Sequence, residues 1–150
     1  MLINKSKGTE PSNKQVLLKE RPLKIVDKFK YFGANIKANS DCVQDIRIRT
    51  ATALLKMNDL HKIWKSNGVK SHTKMRLCKA LIIPIALYGC QIWTLNQAAE
   101  NKILVFEMAV LRKILGITRL DKIRNVDIRT GLGCNKTLVQ VIHERQHRWM

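Results

Sequence analysis

No two acidic residues are adjacent anywhere in this sequence, and Asp and Glu together number only 11 in 150 residues. A two-metal phosphoryl-transfer centre needs carboxylates gathered around ions about 3.5 to 4 Å apart. The candidates Asp27, Asp41, Asp45 and Asp59 are scattered over a loop edge and a helix-patterned stretch, so the chain is not expected to transfer nucleotides by itself. There is no GxxxxGKS/T phosphate loop, and no Ser-His-Asp or Cys-His arrangement can be argued from spacing. The four cysteines, Cys42, Cys78, Cys90 and Cys134, form no CxxC pair. Two of them lie in apolar stretches, where cysteine is an ordinary small hydrophobe, and reduced thiols in a nuclear or cytoplasmic setting follow. His143 and His147 stand four apart with Cys134 nine residues earlier, a legitimate zinc spacing that is short of a fourth ligand. They are read as solvated imidazoles, with no metal and no cofactor expected. The polar start, MLINKSKGTEPSNK, has no apolar signal region.

What the sequence has in excess is positive charge. Lys and Arg number 28, the formal net charge is +17 and the pI is near 10.2. A polyanion is the expected partner, nucleic acid first and an anionic membrane surface second. Apolar residues make up 45%, enough for a core, and the length fits one compact domain.

Residues 77–95, LCKALIIPIALYGCQIWTL, form the least polar segment, with no charge from 80 to 90. Burying each Leu or Ile contributes roughly 1.5 to 3 kcal/mol, so the segment is expected as the central core helix, covered on nearly all sides. Crossing a membrane would take about 18 to 20 apolar residues, so no span is expected. Pro84 cannot donate an N–H and should kink or divide this helix.

Residues 1–13 carry turn-forming Gly, Pro, Ser and Asn without a hydrophobic period, and a loose N-terminus is expected. Residues 14–37 hold short β-favouring runs, read as hairpin strands turning near residues 20–22. From 38 to 150 the pattern is helical. Asn39, Ser40 and Asp41 offer an N-cap, and Ile46, Ala53, Met57, Leu60 and Trp64 form one stripe of a helix running to about Lys65. Asn96 should cap a helix with the stripe Ile103, Phe106, Val110 and Ile114, ending at Gly116. A helical turn at 125–128 and a last helix capped by Asn135 complete the reading. The expected fold is mainly α (α+β): short N-terminal β-hairpin strands followed by a bundle of four to five helices.

Three segments carry a resemblance. Leu77, Lys79, Ala80, Leu81, Pro84, Leu87, Tyr88, Gly89, Trp93, Thr94 and Leu95 match the pattern "LYKALVLPILLYGSETWTL"; Phe29, Lys30, Tyr31, Gly33 and Ile36 match "FKYLGSxI"; and FEMAVLRKILGI resembles "FEMRCLRRILGI". Together they resemble the C-terminal region of the endonuclease-reverse transcriptases of LINE-like, non-LTR retrotransposons. Cys90, Gln91 and Ile92 depart from the Ser-Glu-Thr of that pattern, and Ala109 replaces a customary basic residue. The chain stops at RWM where the family continues through "RWLGHV", so a truncated thumb-like region is expected.

The resemblance implies a primer-grip-like segment at Phe29, Tyr31, Phe32 and Gly33, followed by helices that hold a primer–template duplex. It covers residues downstream of the polymerase palm, and that palm is the implied partner if the chain belongs to a longer one. Arg47, Arg49, Lys56, Lys74, Arg76 and Lys79 are the expected contacts to the backbone of an RNA–DNA or DNA duplex, positioning it without reading sequence. The three tryptophans are read as packing residues rather than base-stacking platforms, with Tyr31 and Phe32 the better stacking candidates. The rival reading is a host-derived helical module that contacts a protein and has no nucleic-acid role.

Overall fold

The computed structural model describes residues 42–149 together with the backbone of 17–18, 21–22, 28–31 and 34–37. The chain divides into two units, Met1–Cys42 and Val43–Met150. In the first, β1 (Leu17–Leu18) pairs antiparallel with β2 (Arg21–Pro22), and β3 (Lys28–Tyr31) with β4 (Ala34–Lys37). These are two separate two-stranded ladders. A two-stranded ribbon of two to four residues does not make a stable layer. From residue 42 onward there is no strand at all among the described residues. The expectation of an α+β fold with N-terminal hairpin strands is therefore corrected: the fold that carries a core is helical. The expected N-cap at 39–41 lies outside the described residues.

In the second unit, α1 (Val43–Asp59) buries Ile46, Ala53 and Met57, the stripe expected from spacing. It does not run on to residue 65. The backbone leaves helical geometry at Leu60, with φ −92° and ψ 19°, and a five-residue α2 (His61–Lys65) follows. The break exposes carbonyls at the end of α1 that have no partner in the helix. Trp64 answers one of them, its indole Nε1 donating to the Met57 carbonyl at 2.7 Å.

The segment 77–95 is not one central helix. It contains the end of α3 (Ser71–Leu77), a π-helical turn at Cys78–Ile82, the short α4 (Ile83–Ala86) and a 3-10 turn at Cys90–Ile92. Pro84 is the cause: it lacks the N–H that would reach the carbonyl four residues back, and its ring crowds that carbonyl. The widened turn directly before it relieves the conflict. Nor is the segment covered on nearly all sides, since Leu81, Tyr88 and Ile92 are 46%, 50% and 54% exposed. Gly89, at φ 73°, then takes the left-handed conformation that lets the chain reverse toward Trp93.

The helix that occupies the centre is α5 (Gln97–Leu115), which packs against α1, α2, α3, α6 (Asn125–Gly131) and α7 (Leu138–Trp149). Its limits follow from chemistry at both ends. Asn96 accepts a hydrogen bond from the Ala99 N–H at 2.8 Å. At the other end Gly116 adopts φ 70°, while the N–H groups of Gly116 and Ile117 donate back to the carbonyls of Lys113 and Arg112 at 3.3 and 3.1 Å. That is a Schellman closure. Ile103, Phe106, Val110 and Ile114 are all buried, as their spacing predicts. The expected Asn135 cap of α7 is corrected to Thr137, whose hydroxyl accepts from the Gln140 N–H (3.2 Å) while the Gln140 side chain accepts from the Thr137 N–H (2.8 Å). This reciprocal pair is a capping box. The expected four or five helices thus resolve into more and shorter segments, because Leu60 and Pro84 each divide one of them.

Candidate nucleic-acid interface

The six cations expected to meet phosphates do not share one face. Along α1, residues two apart point nearly opposite ways while residues seven apart coincide. Arg49 and Lys56 therefore lie on one side, and Arg47 lies on the other. Arg47 is exposed and lines a groove of about 530 Å³ between α1 and α5, over Ala51, Leu54, Val105 and Ala109. Arg49 is half-buried, with its guanidinium 4.7 Å from the centre of the Tyr88 ring and Nε 3.9 Å from the Asp45 carboxylate. Lys56 is exposed beside Asp59 at 3.5 Å, a solvent-screened pair of little energetic consequence.

On α3 the divergence is larger. Lys74 is only 8% exposed and its ammonium donates to the Trp64 carbonyl at 2.6 Å, where it also complements the negative end of α2. It is a structural cation inside the fold. Arg76 is exposed, as is Lys79, which edges a second cavity of about 200 Å³ with Cys78, Glu107 and Cys134. Burial pushes the Cys78 thiol up to about 12, with Cys134 adding to the rise and Lys79 opposing it. Burial likewise raises Cys134 and Cys90. These thiols stay protonated near neutrality, so none is poised as a nucleophile.

Of the primer-grip-like residues, Phe29 and Tyr31 lie in β3, paired through the backbone with Ile36 and Ala34. Phe32 and Gly33 lie outside the described residues, and so do Asp27 and Asp41. Asp45 and Asp59 sit at opposite ends of α1, about 21 Å apart along its axis at 1.5 Å per residue. Among the described residues no three His, Cys, Asp or Glu are grouped so as to hold a metal ion. His143 faces Glu100 at 3.5 Å. Trp64 and Trp93 are buried at 3% and 5%, as packing residues are.

One surface was not legible in the sequence. Between Gly116 and α6 the chain makes a tight loop, 118–124. Asp121 organises it: Oδ2 accepts from the Thr118 N–H at 2.6 Å and from the Thr118 hydroxyl at 3.0 Å, while the Leu120 N–H donates to that hydroxyl at 3.3 Å. These bonds, the backbone one first, hold the Asp121 carboxyl below its usual range. Lys122 takes φ 51°, a left-handed conformation uncommon for a non-glycine residue. Arg112 clamps the far end, donating to the Asn125 side-chain oxygen at 2.7 Å. Arg119, Lys122 and Arg124 are all exposed, and so are Leu120 at 88%, Ile123 at 41% and Val126 at 67%. The apolar residues of RLDKIRNV recur every three positions, without the i+4 partner of a buried helical stripe and without strand alternation, so spacing does not single the stretch out.

Comparison with known proteins adds one finding. The chain is 26% identical over 93 residues to a putative uncharacterized transposon-derived protein of Caenorhabditis elegans, a match covering 62% of this chain and 33% of that protein. It thus spans about a third of its relative's length. The similarity is consistent with a transposon origin. No protein-family model and no solved structure matches the chain. Among the described residues no helix is long and apolar enough to cross a membrane.

Proposed function

We propose that this chain is a piece of a non-LTR retrotransposon reverse transcriptase from downstream of the catalytic palm, and that it grips the backbone of a nucleic-acid duplex without reading sequence. The observation that carries this reading is the surplus of exposed cations, among them Arg47, Arg76 and Lys79, on a helical unit to whose core the segment FEMAVLRKILGI contributes Phe106, Met108, Leu111 and Ile114. The similarity to a transposon-derived protein supports it. Catalysis is left to carboxylates elsewhere, because Asp45 and Asp59 stand a helix length apart. The chain alone should give no magnesium-dependent primer extension.

The test is duplex binding as a function of salt. Each phosphate neutralised steepens the plot of log K against log salt by about 0.9 for B-DNA. A slope of several units supports the reading, and salt-insensitive binding or none overturns it. Substituting Arg76→Gln and Lys79→Gln together should flatten the slope.

A second reading, a protein-docking module, is favoured by the α1/α5 groove. Its floor is apolar, Val105 stands 57% exposed, and the lining cations Arg47 and Lys102 face no lining acid. Such a groove fits an amphipathic helix with acidic flanks. Saturable binding of an acidic amphipathic peptide, lost on Ala109→Trp, would support this reading; binding unchanged by that substitution would remove it.

A further inference from the structure

We propose that the loop 118–124 and the first turn of α6 form an apolar wedge that inserts at a base step of the bound duplex while its cations hold the flanking phosphates. This inference rests on the nucleic-acid reading above and extends it to residues that the retrotransposon motifs do not include. Leu120 is the most exposed large hydrophobic side chain among the described residues, at 88%, and Ile123 and Val126 follow at intervals of three. Leaving three such side chains in water forgoes burial energy. Their surroundings state what should cover them. Arg119, Lys122 and Arg124 are interleaved with them, and the one acid within the loop, the exposed Asp121, engages its Oδ2 with the Thr118 N–H and hydroxyl. The next acid, Asp127, follows Val126 in the first turn of α6 and is exposed.

A partner for this surface must offer negative charge at close spacing and an apolar slot between the charges. Phosphates on either side of a stacked base pair meet both requirements. Apolar side chains inserted between base steps unstack them and kink the duplex, and flanking cations hold the deformed backbone. A second copy of the chain would set like charges against one another, so self-association does not satisfy the loop. The loop is also braced for such a role. The Thr118–Asp121 bonds fix one side and the Arg112–Asn125 bond the other, so little ordering remains to be done when it docks.

The experiment uses the full chain, a duplex carrying 2-aminopurine at a flexible TA step, and the variants Leu120→Ala and Arg119→Gln/Lys122→Gln/Arg124→Gln. Because these side chains are exposed, both variants should melt as the parent does. Binding of the parent should brighten 2-aminopurine as its neighbours unstack. Leu120→Ala should abolish the brightening and weaken binding about tenfold at fixed salt, with the salt slope unchanged. The triple variant should flatten the slope by about 2 to 3. Parent-like brightening and affinity for Leu120→Ala would overturn the wedge while leaving duplex binding intact. Loss of binding to anionic phosphatidylserine vesicles, with duplex binding unchanged, would also overturn it and assign the loop to a lipid surface. If the parent binds no duplex, the wedge and the nucleic-acid reading fall together.

Discussion

The indole N–H of Trp93 donates to the Asp45 carboxylate at 3.2 Å, joining two buried residues 48 positions apart in the chain. This bond ties the first turn of α1 to the reversal after Gly89. It also gives the tryptophan of the retrotransposon-like motif a structural role, since the same carboxylate stands 3.9 Å from Arg49, and Arg49 in turn covers the Tyr88 ring. Removing the acceptor leaves a buried N–H without its bond and weakens the hold on Arg49. Asp45→Ala should cost about 2 to 3 kcal/mol in urea unfolding. Trp93→Phe should also destabilise, and the double variant should lose less than the sum of the two, by at least about 0.5 kcal/mol.

Lys74 and Lys79 have the same chemistry and stand five positions apart, yet have opposite surroundings. Lys74→Ala removes the donor to the Trp64 carbonyl, and a loss of about 1 to 3 kcal/mol is expected in thermal or urea unfolding. The salt slope of duplex binding should not change. Lys79→Ala should leave the unfolding free energy within about 0.5 kcal/mol of the parent, as exposed substitutions do, and should flatten the slope. The opposite pattern would return Lys74 to the phosphate-contacting set.

The caps of α5 give independent numbers. Asn96→Ala should cost about 1 kcal/mol through the lost bond to the Ala99 N–H. Gly116→Ala should cost about 1 to 2 kcal/mol, because its φ of 70° is left-handed and an added Cβ would meet nothing within 4 Å. The penalty there is conformational rather than a clash. Gly116→Asn, which tolerates that region better, should recover part of it.

Cys78 makes stability depend on alkaline pH. Its thiol is held near 12 in the folded chain against an ordinary value of 9.0. A raised folded value means that the contribution is fully present below about pH 9 and is lost as pH climbs toward 12, since only the unfolded thiol ionises in that window. Stability of the parent should therefore fall more steeply above pH 9 than that of Cys78→Ala. Alkylation by iodoacetamide at pH 8 should reach Cys78 only through unfolding, which mass mapping of the modified peptides would show.

The parts of the fold that could be read from the sequence are those in which one helix is specified by its own residues. Asn96, the stripe from Ile103 to Ile114 and Gly116 each act locally, and α5 lies where they place it. The stripe of α1 was legible for the same reason, but the break at Leu60 was not. It is sustained by Trp64 reaching back to Met57 and by Lys74 reaching Trp64 from another helix, a tertiary arrangement with no local signature. Pro84 announced a disturbance in the apolar segment without saying that a π turn would absorb it. Apolarity alone also misassigned the centre of the molecule. The uncharged segment looked most in need of cover, whereas α5, with charges at both ends and one in its middle, occupies the central position.

The candidate interface divides along the same line. Counting cations identified the basic surplus but could not separate Lys74, inside the fold, from Lys79, outside it. Their sides depend on where α3 meets its neighbours. Arg119, Lys122 and Arg124 escaped notice because the Asp121 bonds that shape their loop leave no buried helical stripe or strand alternation in the sequence.

Gln146 donates from one side-chain amide to the carbonyls of both Cys90 and Trp93, at 3.1 and 2.8 Å, across 56 and 53 positions of chain. Translation delivers those acceptors long before their donor. A nascent chain halted short of Gln146 leaves the Trp93 carbonyl to water and the Cys90 carbonyl with only the Trp93 N–H at 3.3 Å, so the reversal after Gly89 is sealed only when α7 has emerged from the ribosome.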